Sequence, residues 1–378
     1  MLIKNGLVFL LEEKGFVKKD ILVENGKIVT IGDNLNATDY IDATGKYVLP
    51  GFIDAHCHLG LAGDSMGWEG ADYNESSDSV TPYVRAIDAI NPRDITLCEA
   101  LQGGVTTVCT GPGSLNVIGG QSTIISVHGT IVDQMTINPY AGLKCAFGEN
   151  TKRNVPNLKN RPSTRMGTAA LLRKSLTEAV NYKTKKDAAL AKDEFFPIDF
   201  TLEPFIPVLE RRIPLKAHAH KAEDICTAIR IAQEFNLLLT LDHCTEGHLI
   251  ADYLGKLPYP AIVGPSFGAR TKIELKEKTF ETAAILHKAG VKIAIMTDHH
   301  VIPQQFLNMC AALAMKAGLS EFEALKAITI NPAEILNIQH LKGAIKEGLH
   351  GDIAIWNEHP FSLQAKVEHL FIEGKKII

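Results

Sequence analysis

The chain has little to build disulfides with. Its seven cysteines among 378 residues, at 57, 98, 109, 145, 226, 244 and 310, are scattered, odd in number and free of any Cys-x-x-Cys pair. That usage fits free thiols in a reducing compartment and excludes a disulfide scaffold. An excess of basic charge is also missing, the formal net charge being −4 at pH 7, so electrostatics offer no nucleic-acid partner. No uncharged apolar run reaches the ~20 residues needed to cross a bilayer. The apolar stretch Leu7 to Leu11 is interrupted by Glu12 and Glu13 and lacks a basic start or a small-residue cleavage site. A cytoplasmic protein that stays off the membrane is therefore expected. What is present, 46% hydrophobic and 22% charged residues, suits a globular protein with a large core. The length allows one large α/β barrel with an appendage or two ordinary domains.

The two ends share a texture. Leu2-Ile3, Leu7 to Leu10, Asp20 to Val23, Lys27 to Ile31 and Tyr47 to Leu49 read as short strands, with Glu24-Asn25-Gly26 as a hairpin signal. Asp352 to Trp356 and Val367 to Ile372 repeat the pattern near the C-terminus. Two or three strands rarely stand alone, so residues 1–50 and 344–378 are expected to form one composite β-sandwich. Between them, residues 51–343 alternate β-rich runs with helices. Strands are expected at Gly51 to His58, Val105 to Thr110, Leu143 to Phe147, Pro214 to Ala219, Leu237 to Leu241, Ala261 to Val263 and Val291 to Met296. Amphipathic helices are expected over Pro92 to Gln102, Ala222 to Glu234, Phe280 to Lys288, Gln304 to Lys316 and Ser320 to Ile328. This alternation predicts a (β/α)8 TIM barrel. A Lys-rich helix over Thr168 to Asp193 distorts it, as a helical excursion spanning about residues 161–203.

Chemistry gathers where those strands end. In Gly51-Phe52-Ile53-Asp54-Ala55-His56-Cys57-His58 two imidazoles two residues apart share a strand face and can grip one metal. Cys57, between them, faces the other way and reads as core. Glu149 follows the third strand, His218 and His220 end the fourth, His243 follows the next, and Asp298 follows the last. In a barrel these ends converge on one face. Imidazole and carboxylate without clustered thiolate suit Zn²⁺ and admit Mn²⁺, Fe²⁺ or Co²⁺. The set exceeds what one closed zinc site needs, so either two ions share a bridging carboxylate or some groups serve substrate.

Together with the flanking strands, these residues resemble the amidohydrolase superfamily of metal-dependent hydrolases. Pro50 to His58 resembles its first-strand signature, Gly104 to Val108 its second strand, and Ala327 to Ala333 with Gly343 to Ile355 its closing segment. Ala217-His218-Ala219-His220 and Thr297-Asp298-His299 look like the imidazolonepropionase-related branch. The resemblance implies that His56 and His58 hold the more buried metal and that His218 and His243 bind the second. It also implies that Asp298 ligates metal and takes a proton from the attacking water. Many two-metal relatives carry a carboxylated strand lysine; none is evident in the interval, and Glu149 is taken as the bridging or supporting ligand instead. The register of His218 and His220 stays open, with His218 read as ligand and His220 as substrate-binding. The implied reaction is hydrolysis of an amide-like C–N bond in an N-acyl amino acid, a dipeptide-like compound or a cyclic amide.

Several neighbours complete this reading. Arg153 and Lys152 follow Glu149 closely and could bind a substrate carboxylate, for which a guanidinium is the better match. His299 is a further substrate-orienting candidate. The glycine-rich stretches Gly111 to Ser114 and Gly119 to Gln121 are expected as a loop in close backbone approach to the site. The alternative is a deaminase with Glu223 as proton shuttle, from the spacing His220-Lys221-Ala222-Glu223, although Glu223 also fits the first turn of a helix. A catalytically silent scaffold is a third reading, weakened by the cost of burying so many polar groups without a partner. The expected partner is a small-molecule substrate, and a homo-oligomer is compatible with the base rate for soluble enzymes.

Overall fold

Strand β1 (Leu2–Leu10) pairs antiparallel with β2 (Gly15–Glu24), and β2 with β3 (Lys27–Gly32). The turn between β2 and β3 puts Asn25 and Gly26 at φ 49° and 79°, the backbone that a two-residue hairpin requires. Strands β4 (Tyr40–Asp42) and β5 (Tyr47–Pro50) run parallel to β1. This is a computed structural model, and it describes residues 1–153 and 158–378.

The central sheet follows chain order: β6 (Phe52–Cys57), β7 (Val105–Thr110), β8 (Ile118–Ser126), β9 (Thr136–Ala146), β10 (Leu215–Ala219), β11 (Leu239–His243), β12 (Ala261–Val263) and β13 (Ile293–Ile295). Neighbours pair in parallel except β8, which is antiparallel to both β7 and β9. The expected glycine-rich loop is thus partly strand, with Gly119, Gly120 and Gln121 inside β8. Glycine is required at position 120: its φ is 123°, and a Cβ there would meet the Val84 carbonyl oxygen at 2.4 Å. The expected strand Leu143 to Phe147 is the end of the longer β9.

The sheet nearly closes where β13 approaches β6, and one carboxylate bridges the gap. Asp54 Oδ2 accepts from the Thr297 N–H at 2.9 Å, from the Thr297 hydroxyl at 2.8 Å and from Gln304 Nε2 at 2.8 Å. Its Oδ1 accepts from the His56 N–H at 3.0 Å, and the His58 N–H donates to the His299 carbonyl at 2.8 Å. The strand bearing His56 and His58 is thereby pinned to the turn bearing Asp298. Around the barrel lies the helix Ala222–Glu234, as the periodicity predicts. The excursion is a 26-residue helix, Arg165–Leu190, started by Thr164, whose side chain accepts from the Gly167 N–H. Its exposed face carries the lysines, while Leu172, Leu176 and Ala179 are buried.

The two chain ends meet in one sheet. Strand β14 (Ile353–Trp356) lies between β5 and β15 (Val367–Ile372), which pairs in turn with β16 (Lys375–Lys376). Ile3, Val8, Val48, Ile353, Ile355 and Phe371 share a core, so neither end buries its apolar face without the other. The hydrogen bonding describes one continuous eight-stranded sheet, order β16-β15-β14-β5-β1-β2-β3 with β4 on β1. A second facing layer, as a sandwich would have, is not part of that path.

Candidate metal centre

At the C-terminal ends of the central strands lies a cavity of about 490 Å³, lined at its floor by His56, His58, His218, His220, His243 and Asp298. One ligand atom from each of His218, His220 and His243 lies within 4.8 Å of the other two, and the same holds for His56, His243 and Asp298. His56 Nε2 and His58 Nε2 both stand 3.4 Å from Asp298 Oδ1. His243 belongs to both groups, which makes it the hinge of the arrangement. His220, read from sequence as substrate-binding, faces the same point as His218, so the structure does not separate the pair into ligand and non-ligand.

Most of these rings are locked from behind. His58 Nδ1 lies 2.7 Å from the Gly111 carbonyl, His243 Nδ1 2.9 Å from the Gly264 carbonyl, and His220 Nδ1 2.8 Å from the Thr245 hydroxyl. His56 Nδ1 lies 3.2 Å from Asp242 Oδ2. A donor held at Nδ1 leaves Nε2 as a bare acceptor aimed at the cavity. His218 Nε2 and His243 Nε2 are buried and have no hydrogen-bond partner among the described residues. Burial pushes the His56 imidazole down to about 3 and that of His243 to about 4, and holds His218 and His220 well below the ordinary range. Burial alone would raise the Asp298 carboxyl, but His243, His56 and His58 around it hold it well below the usual carboxylate range. Neutral imidazoles around an ionised carboxylate form a donor set that fits a divalent cation.

Sequence reasoning missed Lys144. It lies on β9 with 1% exposure, its Nζ 3.2 Å from His56 Nε2 and 3.3 Å from Asp242 Oδ2. Lys216, equally buried on β10, reaches Asp242 Oδ1 at 3.4 Å and the Ala55 carbonyl at 3.2 Å. The signal was there: Gly142 and Lys144 share a strand face, and a lysine in an otherwise apolar strand end needs a partner. Lys144 lies inside β9, two residues before its end, rather than at the strand end where the other candidate ligands lie.

Other expected residues fall elsewhere. Glu149 is not among the residues that line this cavity; it lies in the loop after β9, where its N–H donates to Glu274 Oε2 at 3.0 Å. The structure sets Lys144 rather than Glu149 beside the histidines. Arg153 does line the cavity, but Lys152 does not. His299 lines a separate cavity of about 300 Å³ with Asp64 and Glu99. His300 takes the place next to the metal-capable floor, its ring 4.8 Å from that of Tyr73, which stacks on His58 at 5.6 Å. Glu223 is exposed in the first turn of the helix Ala222–Glu234 and borders a groove with Arg165 and Arg230, outside the catalytic cavity. It does not line the cavity where a proton shuttle would have to act. Lys272, unforeseen, lines the cavity wall with its Nζ 3.6 Å from Glu274 Oε1.

Known proteins share similarity with this sequence and fold. Residues 209–377 match the amidohydrolase family. An amidohydrolase from Thermotoga maritima MSB8, solved as a crystal structure, is 42% identical over 100% of this chain and 99% of its own, with a TM-score of 0.95. The chain belongs to the amidohydrolase family. An imidazolonepropionase from Picrophilus torridus is 26% identical across 100% of this chain and 98% of its own. Amidohydrolase tasK of Hapsidospora irregularis is 28% identical over 94% of this chain, which spans only 39% of that protein's length.

Proposed function

We propose that this chain is a metal-dependent hydrolase of an amide-like C–N bond, acting on an N-acyl amino acid, a dipeptide-like compound or a cyclic amide. The observation that carries the reading is the convergence of bare histidine Nε2 atoms and an ionised Asp298 in one buried cavity. His56, His58, His218, His243 and Asp298 would hold one or two ions, Zn²⁺ being the natural choice and Mn²⁺, Fe²⁺ or Co²⁺ alternatives. A bound ion supplies acidity to water and polarises a carbonyl. Asp298 accepts the proton of the attacking water and returns it to the leaving nitrogen. His220 is placed to bind either ion or substrate.

Lys144 takes the role first given to Glu149. As a carbamate, formed from its neutral amine and CO2 with loss of one proton, it would add carboxylate oxygens to the ligand set. Arg153 and Lys272 give the mouth a positive character, which suits a substrate with a carboxylate. Metal analysis of the purified protein, followed by a screen of N-acyl amino acids, dipeptides and cyclic amides, tests the reading. Bound metal and turnover of one class are expected. A chain without metal that stays silent after addition of Zn²⁺ or Mn²⁺ would end it.

A further inference from the structure

A second cavity, of about 540 Å³, opens between the barrel and the terminal sheet. Its wall is largely apolar, with Phe267, Phe306, Met309, Leu313 and Leu363, and no charged residue lines it among the described residues. Gln102, Asn308, Ser362, Gln305 and Trp356 interrupt this surface, and the last two carry buried polar atoms without a partner among the described residues. Trp356, at the end of β14, is 1% exposed, and its indole Nε1–H has no acceptor among the described residues. Gln305, in the 3-10 turn Gln304–Phe306, has its Oε1 buried without a donor. Both residues line the cavity.

A buried indole N–H ordinarily finds a partner, because an unmade hydrogen bond keeps the full desolvation cost with no return. Here an unpaired donor and an unpaired acceptor border the same apolar space. We propose that this cavity binds a neutral small molecule with an apolar body and one hydroxyl or amide group, which accepts from Trp356 Nε1–H and donates to Gln305 Oε1. An ionised ligand is disfavoured, since nothing in the wall would offset its desolvation. The occupant would abut elements of the catalytic site. Phe267 lines both cavities, and Gln304, next to Gln305, donates its N–H to His299 Nδ1 at 3.1 Å and its Nε2–H to Asp54 at 2.8 Å.

The chain offers a direct probe, for it has two tryptophans and the other, Trp68, is 90% exposed. In a Trp68→Phe background, tryptophan emission reports Trp356 alone. Titration with 2-phenylethanol, which has no C–N bond to hydrolyse, is expected to change that emission saturably. Gln305→Met should weaken binding at least about fivefold, the loss of one neutral hydrogen bond, and Leu313→Phe, which fills the space, should abolish it. Phenylacetate, with the same ring and a charge, should not bind. Unchanged melting temperature and metal content in the variants separate lost binding from lost fold. A linear, unsaturating response, equal affinity in Gln305→Met, or equal binding of phenylacetate would overturn the proposal. So would a shift of Trp356 emission with protein concentration alone, since a second copy would then cover the cavity.

Discussion

The floor of the catalytic cavity is made by strand ends and its mouth by loops, and the two hold their side chains differently. On the floor, His58, His220 and His243 each have Nδ1 fixed by a group from another segment, and His56 rests on Asp242. At the mouth, Arg153 is exposed just beyond the short turn Asn150–Lys152, and Lys272 stands beside Glu274 on the loop after β12. A floor fixed from behind can hold ligands to the tolerance that catalysis demands. A mouth on loops can change its contacts without disturbing that floor. On the proposed reading, the chemistry is set by the rigid part and substrate choice by the adjustable one.

The largest effect should come from the floor. Asp298→Asn removes the proton acceptor and is expected to lower kcat by about 10²–10⁴-fold, measured by steady-state kinetics at equal metal content. A variant that keeps activity within tenfold while fully loaded would remove Asp298 from proton transfer. Lys144→Met comes next: metal affinity should fall by about 10–100-fold or more, read from metal retained after dialysis against a chelator. Retention equal to the parent protein would return the supporting role to another residue.

Protonation tests the floor as a whole. The His56 and His243 imidazoles titrate at about 3 and about 4 in the folded chain, below the ~6.5 of an unfolded histidine. Between those limits the unfolded chain binds more protons, so stability rises with pH. The metal-free protein should thus hold its full stability above about pH 6.5 and lose it progressively as pH falls toward 4, the folded value for His243. Urea unfolding of the metal-free chain at pH 7.5, 6 and 5 measures this. A flat profile would mean that the imidazoles are charged or solvated in the folded state.

The same division explains what could be read in advance. His56, His58, His218, His243 and Asp298 were legible because strand periodicity and strand ends place them without knowledge of any loop. Lys144 was within reach of the same rule but sits two residues before Ala146, the end of β9, inside the strand rather than after it. Glu149 misled because sequence proximity to a strand end does not fix where a loop turns; its backbone is bound to Glu274, which lies 125 residues away. The antiparallel β8 was hidden because its glycines read as loop, when Gly120 is there to let the strand pass the Val84 carbonyl. The pairing of the two chain ends was visible in composition, whereas the single-sheet path depends on register, which composition does not carry.

A smaller change is expected at the mouth. Arg153→Ala should raise KM for a carboxylate-bearing substrate by about tenfold with kcat little changed, the signature of lost ground-state binding, and should leave the neutral amide of the same substrate unaffected. If KM and kcat stay unchanged on the acidic substrate, the carboxylate is read elsewhere, and Lys272 becomes the residue to test.

The smallest effect belongs to a residue that lies in neither region. Glu223 is exposed in the first turn of the helix Ala222–Glu234, together with Asp224, so its charge favours the helix N-terminus and nothing in the cavity. Glu223→Gln should leave kcat and KM within about twofold of the parent and cost at most about 0.3–1 kcal/mol of stability, by kinetics and urea unfolding. A proton shuttle must lie within hydrogen-bond reach of the reacting atoms or one water away, and this carboxylate borders a different groove, with Arg165 and Arg230. A hundredfold loss of kcat in Glu223→Gln, with metal retained, would require that groove to join the catalytic cavity and would restore the deaminase reading over the hydrolytic one.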